Sequence, residues 1–310
     1  MMTLVVLDKR ALTREVVQVR LAREDGGALP AFEAGAHLEL RVGGLTRRYS
    51  LTSTPGERSH YDITVQRAAP SRGGSAFVHD TLGVGDAVDV DGPFNTFRFI
   101  GRPPYAVFIA GGIGLTPFYT MIPAAADAGV AHELHYVTRT SIGRLPIDTL
   151  RATRVFTYVS REGEADARRL DIVALLRQTR RDAHLYVCGP RRMIEEVRSV
   201  AERLGWPKAS MHAESFGPSA TSGDRPVTVH LEASAVTLQV APGTSILQAM
   251  LDHGIWASYA CRRGECGSCY VEVADGIVDH RDVCLSAAER RAGMCPCVSW
   301  PTSGAVTIHA

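Results

Sequence analysis

Tyr259-Ala260-Cys261-Arg262-Arg263-Gly264-Glu265-Cys266-Gly267-Ser268-Cys269 sets three cysteines in the spacing C-x4-C-x2-C. Cys284, Cys295 and Cys297 follow, so six of the seven cysteines fall in the last 50 residues and only Cys188 stands apart. An odd number of thiols, with no secretory leader in view, argues against a disulfide framework and for thiolate ligands in a reducing compartment. Met1 to Arg10 contains only the short apolar run Leu4 to Leu7, and no stretch reaches the roughly 18 apolar residues of a membrane span. The expectation is a soluble, unsecreted, cytoplasmic protein. A formal charge of +1 gives no basic excess, so neither nucleic acid nor an anionic membrane is an implied partner.

The spacing matches the ligand run of a plant-type 2Fe-2S cluster. Two irons bridged by two sulfides each need two thiolates, held in a tight loop whose backbone N–H groups turn toward sulfur. Gly264, Gly267 and Ser268 suit that loop, because small residues let the backbone come close and adopt positive φ. Zinc sites favour paired C-x2-C knuckles about 15 to 20 residues apart, which the C-x4-C gap and a lone distant fourth ligand do not fit. On spacing alone, Cys284, Cys295 and Cys297 remain rivals for the fourth position.

Upstream of the loop, Ser245–His253 has the length of a short helix, and Pro226–Leu231 with Val236–Val240 reads as a hairpin. Before that, the small polar stretch 218–225 is a linker. Residues 102–217 have a different texture. Ala106–Ala110 is a continuous apolar run, as in a buried parallel strand. A helix is expected over Thr116–Ala128, strands over Leu134–Val137 and Ala183–Cys188, and a helix over Arg191–Leu204. Residues 1–101 show short alternating strands between Gly, Pro and Asp turns, the pattern of an antiparallel barrel. The fold class is therefore multidomain: an antiparallel β-barrel at 1–101, an α/β parallel-sheet unit at 102–217, and an α+β domain carrying the cysteines at 226–310.

Both upstream parts carry cofactor chemistry. Arg47-Arg48-Tyr49-Ser50 offers a cation for a phosphate, an aromatic to lie along an isoalloxazine and a hydroxyl for its N5. Arg72-Gly73-Gly74-Ser75 opens a short helix over Ala76–Thr81, where amides and a serine hydroxyl suit a phosphate, although Ser75 would cap such a helix in any case. Gly111-Gly112-Ile113-Gly114-Leu115-Thr116-Pro117 follows a buried strand, where open α/β sheets bind nucleotides, though it is not G-x-G-x-x-G. Cys188-Gly189-Pro190 with Met193 makes the corresponding turn of a later strand. After Val137 comes Arg139 with no acid for a ribose diol, which leaves NADPH beside NADH.

Taken together, these residues resemble the phthalate dioxygenase reductase family, reductase components of Rieske non-haem iron oxygenases, over essentially the whole chain. The resemblance implies a flavin, nucleotide and ferredoxin order, the last domain a β-grasp fold. It implies FMN held by Arg47, Tyr49, Ser50, Gly74 and Ser75, and NADH held by Gly111, Gly112, Gly114, Thr116, Pro117, Cys188, Gly189, Pro190 and Met193. It also implies a 2Fe-2S cluster on Cys261, Cys266, Cys269 and, from its place in Cys-Val-Ser on an expected strand, Cys297. Phe216, ending His212-Ala213-Glu214-Ser215-Phe216, corresponds to an aromatic that covers the flavin or packs between domains. Trp300 departs from the family, which usually has arginine there. The expected activity relays hydride near Ser50, Thr116 and Cys188 with no side chain as acid or base, and sends electrons through a cluster whose potential Arg262 and Arg263 would raise. The expected partner is a Rieske-type oxygenase and the expected state a monomer. Rival readings are a free-standing NAD(P)H reductase of another acceptor and an iron-sulfur redox sensor.

Overall fold

In the first ninety or so residues, alternating apolar side chains drive six strands together around one core. The strands are β1 (Met2–Thr13), β2 (Val16–Ala22), β3 (His37–Val42), β4 (Leu45–Ser50), β5 (Tyr61–Gln66) and, after helix α1 (Gly74–Asp80), β6 (Ala87–Phe94). They pair in the order β4-β3-β6-β1-β2-β5, antiparallel throughout, and a bridge between Leu51 and Ile63 joins the two outer strands. Leu4, Val19, Leu21, Leu38, Leu40 and Ile63 fill the interior. Closure by that bridge removes the free edges that would otherwise invite aggregation. The structure is a computed structural model and describes residues 1–69, 73–140, 143–160, 168–216 and 224–310.

The next layer is a parallel sheet, as its unbroken apolar runs require. It contains β7 (Ala106–Gly111), β8 (His132–Thr138), β9 (Val155–Val159), β10 (His184–Gly189) and β11 (Met211–Ser215), with helices α2 (Phe118–Asp127), α3 (Ile172–Gln178) and α4 (Arg191–Arg203). Strand order β11-β10-β7-β8-β9 means that the chain runs outward from β7 through β8 and β9, then returns to the other side of β7 as β10. That reversal is the topological switch point of an open sheet, and ligands bind there at the carboxyl ends of the strands. Helix α2 begins at Phe118, later than the sequence suggests, because a 3-10 turn over Gly112–Leu115 comes first. Barrel and sheet are tied where the Gly35 N–H donates to Thr120 Oγ1 at 2.9 Å, and the Tyr186 hydroxyl accepts from the Ile100 N–H at 3.0 Å.

On the same sheet His184 Nδ1 and His212 Nε2 lie 3.0 Å apart, and Tyr186 stacks on His212 with centroids 4.6 Å apart. Burial, reinforced by His184, pushes His212 down from 6.5 to about 4. Above pH 6.5 the imidazole is neutral whether the chain is folded or not. Between 6.5 and about 4 the unfolded chain takes a proton that the folded chain refuses, so stability falls as pH drops through that window and levels off below it. The loss is at most about 3 kcal/mol. His212→Gln is expected to narrow the gap between melting temperatures measured at pH 7 and pH 4.5; an unchanged gap would remove His212 as the source.

The chain divides into two compact units, Met1–His212 and Ala213–Ala310. In the second, β12 (Val227–Leu231), β13 (Val236–Val240), β14 (Val271–Asp275), β16 (Gly293–Met294) and β18 (Ala305–Ile308) form a mixed sheet in the order β13-β12-β18-β14-β16. Strands β15 (Val278–Asp279) and β17 (Trp300–Pro301) pair separately. Helix α5 (Ile246–Asp252) is capped by Ser245, whose Oγ accepts from the Gln248 N–H, and α6 (Ala287–Ala292) by a reciprocal box between Ser286 and Glu289. A hairpin, a helix packed on a sheet, and a central parallel pair of β12 and β18 make a β-grasp ferredoxin domain. Of the expected linker 218–225, residues 218–223 lie outside the described residues. Its last two residues are fixed: Arg281 holds Asp224 at 2.7 and 2.9 Å, and the Trp300 indole donates to Arg225 O at 3.2 Å. Trp300 is thus a buried packing residue.

Candidate cofactor sites

The first site starts on β4. Arg47 and Tyr49 share one face of that strand; Arg48, on the other face, pairs with Glu39 at 2.6 Å. A Cβ on Gly74 would lie 2.6 Å from Arg47 Cγ and 2.8 Å from its Nε, so Arg47 crosses the start of α1 and only glycine admits it. Two motifs separated in sequence therefore meet. Gly73, with φ 100, takes the N-cap position, and Ser75 Oγ accepts from the Ala68 N–H at 3.1 Å rather than capping the helix. Arg72 lies outside the described residues. Burial raises the Tyr49 phenol to about 12, keeping it neutral. Ser50 Oγ is buried without a hydrogen-bond partner among the described residues, and a buried hydroxyl left so costs on the order of 1–3 kcal/mol. A polar flavin edge is a group that would satisfy it.

The second site lies at the switch point. A Cβ on Gly111 would sit 2.6 Å from Pro190 Cδ and 2.9 Å from Met193 Cε; one on Gly114 would sit 2.5 Å from the carbonyl carbon of Cys188 and 2.7 Å from Gly189 N. Gly189 is packed against Met193 and Gly111 in return. The glycines of both turns are thus demanded by mutual approach of the two strand ends. Gly112, with φ 55, has open space where a side chain would go, leaving its backbone bare. Thr116 is buried and its hydroxyl donates to Ile113 O at 3.0 Å, shaping the turn that Pro117 ends. Cys188 is fully buried in the sheet's core. Arg139 is exposed beyond the end of β8.

The third site is the cysteine loop. Cys269 Sγ and Cys297 Sγ lie 3.3 Å apart, and Cys261 hydrogen-bonds to Cys266. Two backbone amides point at sulfur: Arg263 N to Cys261 Sγ at 3.3 Å and Ser268 N to Cys266 Sγ at 3.5 Å. Hydrogen bonding from Cys261 pushes the Cys266 thiol down, and hydrogen bonding from Cys295 and Cys297 does the same to Cys269. Among the described residues no three or more metal-binding side chains converge on a single ion. Sulfurs in two pairs are what a two-iron cluster on four cysteines needs. Gly264 (φ 69) is hemmed in by Val298 and Asp282, and the Val283 N–H donates to its carbonyl at 2.8 Å. Cys297 occupies a turn, not the expected strand: the N–H groups of Val298 and Ser299 both donate to Cys295 O, bending the chain between β16 and β17.

The expectation for Arg263 needs correction. Its guanidinium meets Glu214 at 3.0 Å and Glu265 at 3.2 Å, and donates to Ser215 O at 3.1 Å, so two carboxylates cancel the charge expected to raise the cluster potential. Arg262 stays exposed, over the Tyr259 ring at 4.2 Å. Glu214 was quoted in the sequence only as a neighbour of Phe216; a buried acid next to an arginine-rich loop is a long-range pairing that no local pattern announces. Phe216 is 39% exposed.

Comparison with known proteins matches two stretches to family models: residues 229–302 to a 2Fe-2S iron-sulfur cluster binding domain, and residues 108–199 to an oxidoreductase NAD-binding domain. The chain is 39% identical to phenoxybenzoate dioxygenase subunit beta of Ectopseudomonas oleovorans, over 94% of this chain and 91% of that one. It is 33% identical to vanillate O-demethylase oxidoreductase of Pseudomonas sp. (strain HR199 / DSM 7063), over 99% of each. The solved structure of phthalate dioxygenase reductase superposes with TM-score 0.72 at 31% identity, covering 100% of this chain and 98% of that one. The chain belongs to the phthalate dioxygenase reductase family. It is accordingly an NADH-dependent flavin iron-sulfur oxidoreductase that uses FMN and a 2Fe-2S cluster as the reductase component of an oxygenase system. Among the described residues no helix is long and apolar enough to cross a membrane.

Proposed function

We propose that this protein is the monomeric, cytoplasmic reductase of a Rieske-type oxygenase, built as an FMN domain at 1–101, an NADH domain at 102–217, a linker at 218–225 and a ferredoxin domain at 226–310. In this reading Arg47, Gly74 and Ser75 hold the FMN phosphate, Tyr49 lies along the ring system and Ser50 meets its polar edge. Phe216 is the candidate cover. The turns at Gly111–Pro117 and Cys188–Met193 seat the nicotinamide, and Cys261, Cys266, Cys269 and Cys297 bind the cluster. When bound, the flavin supplies the exchange between two-electron and one-electron chemistry. The protein's own part is orientation: glycine turns fix one reactant, a strand fixes the other, and no side chain acts as acid or base. The pairing of Cys269 with Cys297 at 3.3 Å, beside Cys261 with Cys266, carries the reading.

An anaerobic titration of the purified protein with NADH, followed by chromatography of the released flavin and by addition of a purified Rieske oxygenase, tests it. The expected result is a brown protein bleached by NADH, FMN in the extract, and reoxidation by the oxygenase. A colourless protein, or a coloured one that NADH leaves unchanged, would sink the reading; reoxidation by a haem protein but not by the Rieske oxygenase would overturn the partner. Ser50→Ala is expected to lower flavin reduction by roughly tenfold, the worth of one hydrogen bond, with barrel stability unchanged or improved. Stopped-flow bleaching at saturating NADH measures it, and an unchanged rate would free Ser50 of that role.

A further inference from the structure

Cys284 and Cys295 are the cysteines that the cluster assignment leaves over in the second unit, yet their Sγ atoms lie 3.8 Å apart. Cys284 is half-buried, in the irregular segment between β15 and α6. Cys295 is fully buried and opens the turn that carries Cys297. Neither belongs to a helix or strand, so the sulfurs can close the remaining distance of about 1.8 Å to a disulfide length without breaking a regular element. Cys295 packs in one hydrophobic cluster with Cys269 and Cys297, which sets this second thiol pair against the cluster ligands.

Four thiolates committed to iron are not free to oxidise. In a protein that holds its cluster, Cys284 and Cys295 are the neighbouring thiols that remain in this unit, and Cys284 gives solvent a way in. We propose that Cys284 and Cys295 form a peroxide-oxidisable dithiol that closes to a disulfide while the four ligands stay on iron; the proposal rests on the ligand assignment above. Hydrogen peroxide is the oxidant. The Cys284 sulfur attacks it, the O–O bond breaks, and a sulfenic acid and one water result. The Cys295 sulfur then displaces the sulfenic oxygen as a second water. Two thiols and one peroxide yield one disulfide and two waters, the sulfurs losing the two electrons that the peroxide oxygens gain. The bond would staple the Cys297 turn to the segment whose Val283 N–H already holds the Gly264 carbonyl of the cysteine loop. In the cluster-free chain Cys269 and Cys297, at 3.3 Å, are nearer to each other than Cys284 and Cys295 at 3.8 Å, so the cluster selects which pair oxidises.

The test treats the purified holoprotein with a small molar excess of hydrogen peroxide while its visible spectrum is followed. Free thiols are then alkylated, and tryptic peptides are analysed by mass spectrometry. The expected product joins the peptide 282–290 to the peptide 292–310 through Cys295, with the cluster spectrum retained. It is absent from Cys284→Ala and from Cys295→Ala, and the oxidised protein gives up iron to a chelator at least about threefold more slowly than the reduced protein. Cys284 found as sulfinic acid, or both thiols alkylated after treatment, overturns the proposal. So does loss of cluster absorbance in step with the cross-link, or equal rates of iron release. A Cys269–Cys297 cross-link in protein that keeps its cluster would instead overturn the ligand assignment, so the two failures are told apart.

Discussion

Cys269→Ala is expected to remove the cluster and leave a protein that still holds flavin and is still bleached by NADH. Cys269 is 5% exposed, its sulfur is 3.3 Å from that of Cys297, and neighbouring thiols push its own thiol down. Without it one iron would keep a single protein thiolate, and the substitution is made in a Cys295→Ala background so that the neighbouring Cys295 thiol, packed in the same hydrophobic cluster, does not take its place. Altering even the outer partners of a metal ligand costs about 10- to 100-fold in affinity, so loss of the ligand itself removes binding at ordinary iron concentrations. The electron path then ends at the flavin. Reduction of ferricyanide, which draws on flavin directly, is expected to stay within about twofold, and reduction of an acceptor served by the cluster to fall by roughly a hundredfold or more. Iron content, the visible spectrum and the two acceptor assays decide it. A variant with two irons and an unaltered spectrum would remove Cys269 from the ligand set. A parallel fall in both assays would mean that the substitution had damaged the fold.

Gly114→Ala is expected to have the next largest effect, on nucleotide binding. The added methyl would lie 2.5 Å from the Cys188 carbonyl carbon and 2.7 Å from Gly189 N, both backbone atoms that cannot swing aside. The turn after β7 and the turn after β10 must then separate. Overpacking of this kind costs about 1–3 kcal/mol, and because the strain falls on the two turns that seat the nicotinamide, an increase in KM for NADH of tenfold or more is expected. The flavin motifs lie on other elements, β4 and α1, so flavin content is expected to hold. Steady-state kinetics together with flavin content and a melting curve separate the outcomes. An unchanged KM in a folded variant would show that NADH does not need these turns apposed.

Much of the fold was legible wherever one face of an element is buried. Alternation marked the strands of the first hundred residues, a continuous apolar run marked β7, and shorter, mostly apolar stretches marked β8 and β10. Strand β1 is harder to delimit, because its register shifts between Val6 and Asp8 and between Ala11 and Thr13 break the period of two. Strand β9 and helix α3 sit among arginines and acids that mask their short apolar faces. At the sites, residue types were readable and their partners were not. Nothing local in Arg47-Arg48-Tyr49-Ser50 says that Arg47 lies across Gly74. The turn at Cys297 hides behind Pro296-Cys297-Val298, whose β-branched residue suggests a strand. The neutralisation of Arg263 depends on residues 49 positions away.

That buried ion cluster bears on where this protein can be cut. Parsing by linker would excise a ferredoxin module starting at 226, and such a fragment would carry Arg263 without Glu214 and without the Ser215 carbonyl that accepts from it. Arg263 would keep Glu265, but losing the charge-assisted bond to Glu214 costs about 1.5–3 kcal/mol, a sizeable part of the stability of a small module. Chimaeras that exchange the electron-exit module between reductases should therefore cross over before Ala213, carrying the Ala213–Phe216 segment along with the cysteine loop.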